Sequence, residues 1–158
     1  MIILDADVLV IDLANYANDP NLALTRKFLG HLVANKVARG ITTQGLLEVV
    51  GKRSFQTPVA LISLLPSSIA SHYGLRLIPD LTAVPEYAGC TFDEVVAQIA
   101  QQMALGDAVM AVQIAKFAPT ATALVTWNAR HFRGKVVIPV LTPDEWLQQQ
   151  PPPPGPTP

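Results

Sequence analysis

The feature that most narrows the possible folds is a short, mainly apolar run that recurs along the chain. It occurs at Ile2 to Leu4, Val37 to Ile41, Leu75 to Ile78, Ala123 to Thr126 and Val136 to Val140. Short runs with little polar alternation suit strands covered on both faces, as in a parallel sheet. Stretches of helical character lie between them. Such alternation predicts an α/β sandwich on a mainly parallel sheet of four to five strands. A length of 158 residues supports one domain with a full core and is too short for two. That domain is expected over 1–147. Residues 148–158, rich in proline with Gly, Thr and Gln, are expected to form a disordered, extended tail.

Several helix starts are marked by residues that satisfy free backbone N–H groups. Asp19-Pro20 predicts a cap followed by a first-turn proline. Thr91 with Glu94 forms a capping box, and Thr142-Pro143-Asp144-Glu145 joins a box to a proline at the first helical position. Thr57 to Tyr73 reads as two short helices split near Pro66. From Asp107 to Phe117, small residues (Ala108, Ala111, Ala115) alternate with Val109, Met110, Val112 and Ile114, which predicts a central, little-exposed helix. Met103 and Met110 are packing residues on this reading.

Half of the residues are apolar and 15% are charged, so the chain folds, and its low charge suggests that another chain covers some apolar surface. The net charge of −1 gives no general attraction to nucleic acid. Lys52 with Arg53, and Arg130, Arg133 and Lys135, nevertheless concentrate five of the 11 strong bases in two places. Either group serves as a local anion patch or as an ordinary solvated face. The single cysteine, Cys90, excludes an internal disulfide and suits a reducing compartment. It has no neighbouring base to activate it, and reads as a semi-buried residue near a helix start. The opening MIILDADVLVIDLA lacks a basic leader and meets aspartates at 5, 7 and 12, so it reads as a strand entering a helix, not as a signal or membrane span. A cytoplasmic location is expected.

Three acids stand out. Asp5 follows directly on the first strand, at the carboxyl edge where open parallel sheets bind ligands, and either serves function or caps a helix. Glu48 lies one turn into the helix after the second strand and either faces Asp5 or points to solvent, although its apolar neighbours make solvent an awkward fit. Asp107 heads the buried helix, where a cap alone would account for it. Gathered together, three carboxylates repel one another unless a divalent cation neutralises them. All-oxygen ligands favour Mg2+ or Mn2+, and His31, His72 and His131 have no metal-ligand spacing. A cation so held polarises a phosphodiester and activates water.

In these residues the sequence resembles the PIN-domain family, in particular the VapC-type ribonuclease toxins of bacterial toxin–antitoxin pairs. Ile2-Ile3-Leu4-Asp5-Ala6-Asp7-Val8-Leu9 resembles the family's first strand and catalytic aspartate, with Asp7 where asparagine is usual. Thr43 to Glu48 resembles the segment bearing the conserved glutamate, and Gly106-Asp107-Ala108 the third acidic site. Leu124-Val125-Thr126-Trp127-Asn128-Ala129-Arg130-His131-Phe132 looks like the signature of the fourth strand. Together these motifs cover about 140 residues. Asn128 stands where many members carry a fourth acid, and His131 where another acid is common. An amide ligates or holds water but brings no charge.

The resemblance implies a PIN-like three-layer α/β/α sandwich that hydrolyses RNA with Mg2+ or Mn2+. Asp5, Glu48 and Asp107 would hold the metal, with Glu48 able to accept a proton, and Asn128 would join them as a catalytic residue. Asn128 and Thr126 would position substrate or water. Arg130 and His131 would approach the RNA backbone. A homodimer and a cognate antitoxin protein are implied, the pair being of type II. Two other readings remain: a noncatalytic or attenuated PIN-like binding module, which Asn128 and the weak basic balance fit, and a receiver-like phosphate-handling α/β protein. The latter wants a second acid beside the first strand's neighbour and a lysine after the last strand, and neither is clear.

Overall fold

The structure is a computed structural model and describes residues 1–13, 18–83 and 88–150. The first half runs β1 (Ile2–Leu4), α1 (Ala6–Leu13), α2 (Leu22–Ala34), β2 (Arg39–Thr42), α3 (Thr43–Ser54), α4 (Val59–Ile62), α5 (Leu65–Tyr73) and β3 (Arg76–Ile78). The second half runs α6 (Phe92–Ile99), α7 (Leu105–Phe117), β4 (Ala123–Val125), α8 (Ala129–Phe132), β5 (Val140–Leu141) and α9 (Pro143–Gln148). The five strands form one sheet in the order β3-β2-β1-β4-β5, and every pairing is parallel. Receiver-like sheets are ordered β2-β1-β3-β4-β5, so that alternative is not the fold seen here.

Successive strand residues point to opposite faces, and the core divides accordingly. Ile2, Leu4, Ile41, Ala123 and Val125 pack with Val8, Leu9, Phe28, Leu32, Leu46 and Val49. Ile3, Ile78 and Leu124 pack on the other face with Met103, Met110, Ala111, Ile114 and Phe132. Helices therefore cover both sides, which explains why the strands carry no polar alternation. The central strand β1 has Ile2 and Ile3 opposite Arg39 and Gly40 on one side and opposite Ala123 and Leu124 on the other.

Both capping boxes form: Thr91 and Glu94 at α6, and Thr142 and Glu145 at α9, where Pro143 is in the first turn. The segment before β3 makes two helices, with Pro66 in the first turn of α5. In α7 the seven residues Ala108 to Ile114 are all buried, and Met103 and Met110 pack in the core. Cys90 is half-buried beside the start of α6, and burial raises its thiol pKa.

Two local expectations are corrected. Asp19 does not cap a helix with Pro20 in its first turn: its Oδ1 accepts the Asn21 amide at 2.8 Å, and α2 begins at Leu22. Backbone turn formation competes here with capping, as is common for aspartate. The last strand is Val140–Leu141, not Val136 to Val140. Val136 and Lys135 turn back on Phe132, after Gly134 at φ +75°, and only the Pro139 carbonyl reaches Leu124 N, at 2.8 Å. Helix α9 runs to Gln148, and Gln150 Nε2 reaches the Trp146 carbonyl. The remainder of the expected tail, 151–158, lies outside the described residues. Among the described residues no helix is long and apolar enough to cross a membrane.

Candidate carboxylate site at the sheet's switch point

From β1 the chain moves outward through β2 and β3, then crosses back to β4 on the other side of β1. The crevice at the carboxyl ends of β1 and β4 is thus where the winding reverses, the usual ligand position in such sheets. Asp5 lies there. Its amide donates to the Val125 carbonyl at 3.0 Å, which clamps it between the two strands. Its Oδ1 accepts the Ala6 amide at 2.6 Å, and the residue is only 6% exposed. Burial first, then the neighbouring Asp7 and to a lesser degree Glu48, push its carboxyl up to about 8, against opposing hydrogen bonds from Thr126 and Ala6. A carboxylate that resists ionisation in this way is not explained by capping.

Asp7 is the residue that sequence reasoning undervalued. Its Oδ2 accepts from Thr126 Oγ1 at 3.0 Å, from Trp127 N at 2.9 Å and from Asn128 N at 3.1 Å. Its Oδ1 is buried and makes no hydrogen bond within 3.5 Å among the described residues. Desolvation raises its pKa, and the three donors together with the Val8 amide oppose the rise. The available signal was an acid in the first turn of α1 with Ala6, Val8 and Leu9 buried around it.

Glu48 and Asp107 arrive from two helices that both begin at this edge. Helix α3 starts directly off β2, with Thr42 Oγ1 accepting the Gly45 amide at 3.0 Å. Glu48 is half-buried, and its Oε1 accepts from Gln44 Nε2 at 2.8 Å. The same Oε1 touches the backbone of Gly106 so closely that a Cβ there would overlap it. A larger residue at 106 would make the Glu48 carboxylate move, so this approach brings the two helix starts together. Helix α7 is capped at Ala104 without a side chain, so Asp107 sits in the first turn but is not the cap. Its Oδ2 is 3.8 Å from His131 Nδ1; burial raises its pKa while His131 and Lys135 lower it.

A second undervalued residue joins these helices. Gln113 is fully buried; its Oε1 accepts Gln44 N at 3.2 Å, and its Nε2 donates to Thr43 Oγ1 at 2.6 Å and to the Ala88 carbonyl at 3.0 Å. A glutamine amid the apolar face of α7 was its sequence signal. The turn after β4 completes the crevice. Thr126 is fully buried, so it acts on its neighbours and cannot reach a substrate itself. Asn128 Nδ2 stands 2.9 Å from His131 Nδ1. Arg130 and His131 are exposed on α8.

Much of the rim's basic charge is engaged elsewhere. Arg133 pairs with Glu145, Lys135 Nζ donates to the Gln102 carbonyl at 3.2 Å, and Arg53 donates to Gln56 at 3.0 Å. Arg130 and Lys52 are exposed.

Asp5 and Asp7 are linked through Thr126, and Glu48 is near enough to raise Asp5, whereas Asp107 turns to His131. Among the described residues no three His, Cys, Asp or Glu side chains stand together as a metal-binding group. The donor chemistry fits a hard divalent cation: oxygen ligands, a hard-to-ionise Asp5 and an orphaned Asp7 oxygen all call for positive charge. The side chains as they stand do not close a shell. No family model matches the chain, and no curated protein matches it either, so the functional reading rests on this geometry.

Proposed function

We propose that the protein is a Mg2+- or Mn2+-dependent endoribonuclease of the PIN type, acting as the toxin of a type II toxin–antitoxin pair. The observation that carries this reading is Asp5, a nearly buried acid at the switch point whose carboxyl is driven to about 8 by burial and by Asp7 and Glu48. Asp5, Asp7 and Glu48 are near enough to act on one another there, and such oxygen donors are what a cation-binding phosphodiesterase needs.

Asp5, Glu48 and Asp107 are the residues that would hold the ion. When bound, it supplies charge neutralisation and Lewis-acid polarisation of the phosphodiester. The chain's own contribution is placement and proton handling. Glu48, fixed through Oε1 by Gln44, has Oε2 to take a proton from the attacking water. Asn128 and His131 orient the phosphate at the mouth of the crevice, and the exposed Arg130 offsets the repulsion between RNA and the acids. Single-stranded or loop RNA bends into such a crevice more readily than a duplex does. A homodimer would add basic rim residues from a second copy, and a cognate antitoxin would cover the site at rest.

The second reading, a noncatalytic or attenuated PIN-like module, is favoured by the split between the Asp5 and Asp107 halves. One experiment separates them: purified protein incubated with cellular RNA and Mg2+ or Mn2+, beside Asp5→Asn and Asp107→Asn. Metal-dependent cleavage lost in both variants supports the nuclease. Saturable Mn2+ binding without cleavage supports the module. Cleavage that persists in Asp5→Asn removes the proposed site.

A further inference from the structure

We infer that Asp7 is the positioning residue of this site: by drawing the Thr126 hydroxyl and the Trp127 and Asn128 amides onto one oxygen, it fixes the turn after β4 against Asp5. The inference deepens the proposed function and rests on the same crevice.

Beyond Val125 the chain has left the β4 ladder, and only Thr126 N still reaches β5, donating to the Leu141 carbonyl at 3.0 Å. The next two amides point back across the crevice mouth to Asp7 Oδ2. The Thr126 hydroxyl gives its proton to the same oxygen and accepts from Asn128 N at 2.9 Å, which closes a small ring of hydrogen bonds. Three donors from three successive residues converge on this one oxygen, so the path of the turn is set by where Asp7 stands. All three of these bonds fall on Oδ2, while Oδ1 is buried.

The consequence reaches the other half of the site. Asn128 is tethered to Asp7 by its backbone while its side chain contacts His131, which in turn faces Asp107. Asp7 lies two residues beyond Asp5 in the same turn. It therefore sets the distance between the Asp5 half and the Asp107 half without touching the RNA.

The test compares Asp7→Asn and Asp7→Ala with Thr126→Ser and Thr126→Val in the full chain. The readouts are amide hydrogen exchange at Trp127 and Asn128, Mn2+ affinity by calorimetry, and RNA-cleavage kcat and KM. Asp7→Ala and Thr126→Val are expected to speed exchange at both amides at least tenfold, with α7 amides unchanged. They are also expected to lower kcat at least tenfold with KM within about twofold. Asp7→Asn should be intermediate, and Thr126→Ser, which keeps the hydroxyl, should restore wild-type values. If Asp7→Ala does not fold, the isosteric Asp7→Asn decides. Unchanged exchange and unchanged Mn2+ affinity in the Asp7 variants would overturn the inference. If the wild-type protein cleaves no RNA, the nuclease reading fails, while amide exchange and Mn2+ affinity still decide the role of Asp7.

Discussion

The two edges of the sheet treat buried charge in opposite ways. At the amino edge, Arg39 donates to the carbonyls of Tyr73, Leu32 and Val37, so its guanidinium is surrounded by acceptors. Tyr73 and Leu32 lie in the last turns of α5 and α2, where helix carbonyls lack partners and a cation is favourable. Gly74, at φ +59°, ends α5 with room for that guanidinium, since a Cβ there would meet Arg39 Nη2 at 3.1 Å. At the carboxyl edge the acids are undercompensated: burial raises the pKa of both Asp5 and Asp7, and among the described residues Asp7 Oδ1 makes no hydrogen bond. Matched charge marks an edge that serves stability. Unmatched charge is what the proposed cation site would use.

The strongest way to break this contrast is Asp5→Asn. RNA cleavage should fall by roughly 10²–10³-fold, as when one transition-state-stabilising group is lost, while the metal-free protein at pH 8 should melt at a higher temperature than wild type. An unchanged melting temperature would show that the Asp5 charge is compensated after all. Next comes Arg39→Met, which takes a donor from the Tyr73, Leu32 and Val37 carbonyls, of which Leu32 keeps the Val37 amide. It should cost about 3 kcal/mol in urea unfolding and leave Mn2+ affinity alone; a loss of Mn2+ affinity would erase the division of labour between edges.

A pH series sharpens the comparison. The Asp5 carboxyl has an ordinary value of 3.8 and stands at about 8 in the fold, so between these limits the folded chain holds the proton more tightly than the unfolded one. Stability from this source is fully present below about pH 4 and is lost as pH rises through 8. Asp7 contributes with the same sign. Thermal melts of metal-free protein should therefore fall across that window, and Mn2+ should offset the fall. Arg133→Ala should have the smallest effect: its pairing with Glu145 is solvent-exposed, at 51% and 40%, and such pairs contribute about 0.2–1 kcal/mol. A large loss of stability or activity there would show that the rim is more than a solvated face.

The exposed apolar side chains also divide unevenly. Phe55 and Val59, around the end of α3 and the start of α4, are 92% and 86% exposed, and Phe92 at the start of α6 is 82% exposed. Helix α6 buries none of its residues. The location of this surface depended on which helix faces the sheet left unpaired.

The first four strand positions, the alternating fold class, both capping boxes and the buried nature of α7 followed from local rules: apolar runs, side-chain caps and proline placement act within a few residues. Asp5, Glu48 and Asp107 were legible as candidates for the same reason, each sitting at a strand end or helix start. The parallel order β3-β2-β1-β4-β5, the approach of Gly106 to Glu48, the Gln113 bridge and the three bonds to Asp7 were decided by tertiary structure alone. Each of these joins residues distant in sequence, and a buried polar group takes the partners that packing brings to it, whatever its neighbours along the chain.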